Sequence, residues 1–309
     1  MHRFAKYCWF VLAWTLLVIL WGAFVRASGS GAGCGNRWPT CNGEIIPQPR
    51  QIETLIEFTH RLLSGGALVF IFIMATWGWQ ISYKGEPIRK GLIASVIFII
   101  TEALLGASLV LFGLVTNNQS AMRAIVISLH LLNTFFLIGA ISLTAWWASG
   151  KKTVLLGSNG YLLIFLSLGL AGVAIIGMSG AITALGDTLF PVKNLAQGLA
   201  QDTSSNTHFL IRLRVYHPLI ALLVGGYTFF LLRYLRKINS DKTARKIGTI
   251  LGGLILIQWT AGLINVLLLA PVPMQIIHLF VADTIWISYV LLTASILSED
   301  SIQNIPIHE

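Results

Sequence analysis

Four histidines stand at matching places in four apolar stretches of this 309-residue chain: His60, His130, His217 and His278. Each lies near the start of the second, fourth, sixth or eighth stretch, counted along the sequence. A histidine inside a membrane helix is expensive to keep and normally has a partner that offsets the expense. Neutral imidazole binds heme iron axially, and it also binds zinc or copper. One such histidine alone is most simply a hydrogen-bonded core residue. Four in register have no packing reason. As two pairs they point to two bis-histidine metal or heme sites, each clamped between facing helices. His2 and His308 are terminal and His208 falls in a loop, so none of them is assigned a ligand role.

Glu57 precedes His60 by three residues, which places both on one helix face about a turn apart. A carboxylate there can take or deliver a proton beside a heme edge. It is also an acid that a helix N-terminus favours. Aligning His217 on His60 puts Arg214 where Glu57 stands. One acidic site and one cationic site suit one reacting centre and one redox centre. Heme propionates are anions that arginine pairs bidentately. Arg214 shares a helix face with His217 and Arg123 with His130, and Arg26, Arg61 and Arg212 are further candidate propionate contacts. Each could instead snorkel to lipid phosphate. Cys34 and Cys41, with six residues between them in a Gly- and Pro-rich loop, can close a small disulfide. It is either a structural staple or a thiol pair that exchanges electrons. Cys8 reads as an ordinary thiol. Glu102 and Asp283 are acids within apolar stretches, and Asp283 is expected to be paired inside the bundle.

The elements that must position these groups are long apolar helices. The chain is 55% hydrophobic and 11% charged, with a mean hydropathy of +0.77. A soluble domain is about a quarter charged. Eight stretches are long enough to span a bilayer, near 8–25, 60–82, 91–115, 124–148, 159–183, 212–235, 247–270 and 275–297. They are too long for barrel strands. The predicted fold is an all-α integral membrane protein, its eight transmembrane helices arranged as two pseudo-symmetric four-helix bundles. The halves are 1–150 and 151–309, with long outer loops at 26–56 and 184–211. Histidine spacing repeats, at 70 residues in the first half and 61 in the second. Glu102-Ala-Leu-Leu-Gly matches Gln258-Trp-Thr-Ala-Gly, and Gly22-Ala-Phe-Val and Gly177-Met-Ser-Gly end the first and fifth stretches. Gly65-Gly66, Gly225-Gly226 and Gly252-Gly253 read as close helix contacts.

The net charge of +9 would suit a nucleic-acid partner, but its distribution does not. Lys6, Lys84, Lys90, Lys151, Lys152, Lys237, Lys242 and Lys246 fall on one side, as the positive-inside rule expects of cytoplasmic segments. The opposite side carries mainly arginine: Arg26, Arg37, Arg50, Arg61, Arg123, Arg212 and Arg214, with Lys193. No nucleic acid is expected. Both termini are then cytoplasmic and all four ligand histidines lie near the outer face. The first stretch lacks a cleavage site and no transit peptide precedes it, which favours a multi-pass protein of a prokaryotic plasma membrane. The tail after 298 is acidic and expected to be loose.

Together these features resemble the heme A synthase family. Glu57-Phe-Thr-His60-Arg61 looks like that family's Glu-x-x-His-Arg element. Val25-Arg26-Ala-Ser-Gly-Ser-Gly precedes Cys34, and Trp38-Pro39-Thr-Cys41-Asn42-Gly43 follows it. With the single histidines of the even helices, the resemblance covers almost the whole chain. It implies oxidation of the C8 methyl of heme O to a formyl group, giving heme A. It implies a substrate heme on His60 and His130 beside a catalytic Glu57, and a resident heme b on His217 and His278. Cys34 and Cys41 match the family's first-loop pair. Some members carry a second pair in the second long loop, where this chain has none. Glu102 stands where glutamine is expected. Heme O synthase and terminal oxidase assembly are the implied protein neighbours, and the oligomeric state is open, a homo-oligomer included. Rival readings are a diheme b-type electron-transfer cytochrome and a non-catalytic heme transporter or handler.

Overall fold

The computed structural model describes residues 1–48, 51–151, 153–154, 160–204 and 206–298. Pro49, Arg50, Lys152, Ser205, His308 and the acidic tail after 298 lie outside the described residues. Among the described residues ten helices follow in order: α1 His2–Ala27, α2 Ile52–Ile81, α3 Pro87–Leu111, α4 Ala121–Ala148, α5 Gly160–Leu189, α6 Leu195–Thr203, α7 Phe209–Arg214, α8 Tyr216–Ile238, α9 Lys242–Leu267 and α10 Val272–Ile296. Among the described residues there are no β-strands, only isolated bridges at Cys41–Glu44 and Val154–Ser298.

Eight of these segments are long and apolar enough to cross a membrane, with α7 and α8 forming one of them. The chain is a multi-pass membrane protein. Its exposed side chains include Leu62, Phe72, Leu104, Leu223 and Phe230, the apolar surface that lipid rather than water covers. Helix starts are set locally. Ser120 caps α4 by accepting the Arg123 N–H, and Asp241 caps α9 by accepting the Ala244 N–H. Pro87 opens α3, where its missing N–H would find no helical partner anyway.

Three boundaries differ from the sequence expectation. The second span, read as starting near 60, begins at Ile52, so Glu57 and His60 share one helix as their spacing implies. The sixth span breaks after Arg214 because Pro218 has no N–H to give the Arg214 carbonyl. The second long loop is not irregular throughout, since it contains α6 and the start of α7.

Within 1–150, α1 packs on α2 and α4, and α3 on α2 and α4. Within the second half α5 packs on α8 and α10, and α9 on α8 and α10. The same order of neighbours therefore recurs. The halves meet where α10 crosses α4 and α1, and where α4 meets α5. At that seam Trp286 stacks on Phe135, ring centres 5.0 Å apart, and donates its indole N–H to the Phe135 carbonyl. Gly66 and Gly225 accept the indoles of Trp14 and Trp259 against their backbones, while their neighbours Gly65 and Gly226 face open space.

Candidate functional site

His60 is the ninth residue of α2, His130 the tenth of α4, His217 the ninth from the start of α7, and His278 the seventh of α10. All four rings therefore sit two to three turns inside one end of the helix array. Each leans on a glycine of the preceding span. A Cβ on Gly22 would lie 2.9 Å from Cε1 of His60, and one on Gly180 would lie 3.0 Å from Cε1 of His217. Gly106 and Gly262 stand in the same relation to His130 and His278 at 3.8 and 3.3 Å. A side chain at the two tight positions would push the imidazole out of place. These glycines were not singled out from the sequence as histidine partners. Two of them close the matched segments Glu102–Gly106 and Gln258–Gly262, which was the available signal.

The second-half rings are paired. His217 and His278 have centres 6.3 Å apart and planes at 72°. Two metal–imidazole bonds of about 2 Å, plus the half-width of each ring, bring ring centres to about 6 Å. One iron fits between them. Ser179 Oγ lies 2.9 Å from His217 Nδ1, and Gln258 Nε2 lies 3.1 Å from His278 Nε2. In the first half Glu102 Oε1 lies 3.3 Å from His130 Nδ1. Nδ1 of His60, of His130 and of His278 are buried without a hydrogen-bond partner among the described residues, the Glu102–His130 approach being an ion-pair contact. Buried polar atoms are rarely left so. No group of three or more His, Cys, Asp or Glu gathers for a metal among the described residues. Two imidazoles per site suit an iron whose other four positions a porphyrin fills. The spacing of His217 and His278 fits heme in the second half, and His60 and His130 bring the same pair of imidazole donors to the first.

Glu57 is only 4% exposed, and it is pinned. The Cys34 N–H donates to its Oε2 at 2.8 Å, and the Arg61 guanidinium grips its Oε1. Arg61 also donates to the Arg37 and Thr40 carbonyls at 2.8 and 2.7 Å. Thr54 Oγ1 reaches the Gly33 carbonyl at 2.7 Å. Cys34 and Cys41 are disulfide-bonded, and both are buried. The loop is thus sewn to the first three turns of α2. Cys8 is a free buried thiol.

The candidate propionate arginines have other work. Arg26 donates to the Ala184 carbonyl and Thr188 Oγ1, both at 2.7 Å, and to Gln275 Oε1 at 2.9 Å, so it ties α1 to α5 and α10. Arg123, 4% exposed, holds the Thr116 and Asn118 carbonyls. Arg214 pairs with Asp202 at 2.6 Å and Asp187 at 3.2 Å. The charge contrast read between Glu57 and Arg214 is therefore blunted: each is already neutralised by opposite charge. Arg212 is exposed. Asp283, expected to be paired, is fully buried, and neither carboxyl oxygen has a partner among the described residues. The face it shares with Trp286 packs on the apolar side of α4 instead of a basic residue.

Residues 5–290 match the family COX15-CtaA, described as cytochrome oxidase assembly protein. The protoheme IX farnesyltransferase of Thermus thermophilus is 49% identical over 295 residues, which are 96% of this chain and 48% of that protein. The heme A synthase of Alkalihalophilus pseudofirmus is 46% identical over 98 residues, 32% of this chain and 33% of that one. The heme A synthase of Bacillus mycoides is 39% identical over 114 residues, 37% of each. The chain spans about half the length of the Thermus protein it matches.

Proposed function

The chain belongs to the COX15-CtaA family of cytochrome oxidase assembly proteins, and from that premise and its partial similarity to heme A synthases we propose that it is a membrane oxidoreductase converting heme O to heme A. The reaction oxidises the C8 methyl of the porphyrin to a formyl group, with the oxygen atom and the final electron acceptor both supplied from outside the chain. The half 1–150 takes the substrate heme on His60 and His130, and the half 151–309 holds a resident heme b on His217 and His278. Heme b, when bound, supplies a one-electron acceptor beside the substrate. Glu57 receives the protons released as the methyl is oxidised. Arg61 and the Cys34 N–H keep that carboxylate in one place, so little reorganisation is needed when a proton arrives. The disulfide loop covers the site from the histidine end and limits water. Arg26 keeps the two halves in fixed relation. Arg212 is the remaining propionate candidate.

What supports this proposal is the facing pair of His217 and His278 in the second half together with an acid pinned one turn before His60 in the first. The bilayer brings the apolar substrate laterally. The setting we infer is a prokaryotic plasma membrane with both termini cytoplasmic. The Thermus protein carries a region similar to this chain together with further sequence of comparable length. That supports heme O synthase as a physical neighbour, and terminal oxidase assembly as the destination of the product.

The farnesyltransferase name of that relative favours a second reading, prenyl transfer to protoheme. Diphosphate handled with Mg²⁺ calls for gathered carboxylates, and among the described residues no three or more gather for a metal, Asp187 and Asp202 being taken by Arg214. One assay separates the readings. The protein is expressed with a heme O source, and extracted pigments are identified by mass. Heme A supports the proposal. Heme O made from protoheme supports the transferase. Protoheme alone supports an electron carrier, and unaltered heme O a heme handler.

A further inference from the structure

We propose that Glu102 is a positioning residue that makes His130 the stronger electron donor among the ring ligands, so that iron held in the first half has a lower reduction potential than iron held in the second. This rests on the heme reading above.

Glu102 lies on α3 and its Oε1 faces Nδ1 of His130 at 3.3 Å. The carboxylate does not hang free. Thr134 donates to Oε1, and Asn133 Nδ2 donates to Oε2 at 2.6 Å. Asn133 is itself fixed, accepting from Thr101 at 2.6 Å and donating to the Phe98 carbonyl at 2.9 Å. Thr134 and Asn133 lie one turn beyond His130 on the same helix, so ligand, carboxylate and supports form one rigid unit across α3 and α4.

The second half keeps the frame and drops the charge. Gln258 matches Glu102, four residues before Gly262 as Glu102 is before Gly106. Its Nε2 lies 3.1 Å from Nε2 of His278, the other ring nitrogen from the one that Glu102 faces on His130, while its Oε1 is buried with no partner among the described residues. Positions equivalent to Asn133 and Thr134 are Val281 and Ala282, which cannot support a carboxylate. A neutral amide therefore suffices to pack beside the ring. An acid in an apolar span is expensive, and here it comes with two hydrogen-bonding supports, Asn133 and Thr134, that packing does not require.

A carboxylate held close to one ring nitrogen raises the basicity of the other. A more basic axial ligand favours ferric over ferrous iron, and axial ligand and hydrogen bonding are the protein's levers on potential. The asymmetry then gives electrons taken at the first site a downhill path to the second. Removing the charge while keeping the shape tests this.

The purified full chain from heme-replete membranes is titrated optically against potential, as wild type, Glu102→Gln and Gln258→Glu. The wild type should show two transitions, the lower one abolished by His60→Ala. Glu102→Gln should move the lower transition upward, toward the other. Gln258→Glu should move the upper transition downward. Glutamine is nearly isosteric, so a purely structural role leaves both transitions in place. Unchanged potentials in a heme-retaining Glu102→Gln protein overturn the inference. Should that variant lose heme, Gln258→Glu decides alone: a downward shift supports the inference and no shift overturns it. A wild type with no transition sensitive to His60→Ala overturns instead the heme reading on which the inference rests.

Discussion

The carboxylate of Glu57 accepts the backbone N–H of Cys34 at 2.8 Å. A residue of the disulfide loop thus holds the candidate proton acceptor from above, while Arg61 holds it along the helix. Loop, acid and ligand histidine are one mechanical unit.

Glu57→Gln keeps an oxygen for the Cys34 N–H but removes the proton acceptor. Heme content should be unchanged, and heme A formation should fall roughly 10²- to 10⁴-fold, the usual share of general acid–base help. Product analysis of membranes checks it. A variant that binds both hemes and makes normal heme A defeats the role given to Glu57.

Cys41→Ser opens the small loop. Its loss should lower stability by about 2 kcal/mol by loop entropy, read as a drop in thermal midpoint. Product formation should fall as Glu57 loses its fixed partner, while the heme on His217 and His278 stays. Unchanged product formation would reduce the cysteine pair to a distant staple.

Gly22→Ala puts a methyl 2.9 Å from the His60 ring. It should weaken first-site heme binding and leave the second site alone. Gly65→Ala, on α2 where a methyl meets open space, should bind heme normally. Heme-to-protein ratios distinguish the two. Equal behaviour would remove Gly22 from the histidine socket.

Arg214 joins two carboxylates that otherwise repel. Arg214→Gln should destabilise the fold by about 2 kcal/mol, less than a fully buried pair would, because Asp187 and Asp202 are each a quarter exposed. Adding Asp187→Asn should recover part of that loss. A thermal-melt comparison reads both, and no recovery would mean the arginine acts elsewhere.

The spans and the four histidines were legible because apolar length and a repeated residue type are local signals. Partners were less so. Asp187 and Asp202 lie 27 and 12 residues from Arg214, and Gln275 lies 249 from Arg26, so spacing alone could not reveal that these cations were taken. The match between Glu102–Gly106 and Gln258–Gly262 was visible as a repeat. Its meaning, a ring partner and a ring socket four residues apart, appeared only when α3 met α4 and α9 met α10. Pro218 was visible too, but whether a proline kinks or breaks a long span depends on its neighbours.

The central claim is that iron porphyrin is gripped by facing imidazoles in each half. Absorption spectra of the purified full chain from heme-replete cells test it, with His60→Ala/His130→Ala and His217→Ala/His278→Ala beside the wild type. A Soret band in the wild type, with each double substitution removing its own share, is the expected result. A colourless wild type, or a band that neither double substitution diminishes, would contradict it.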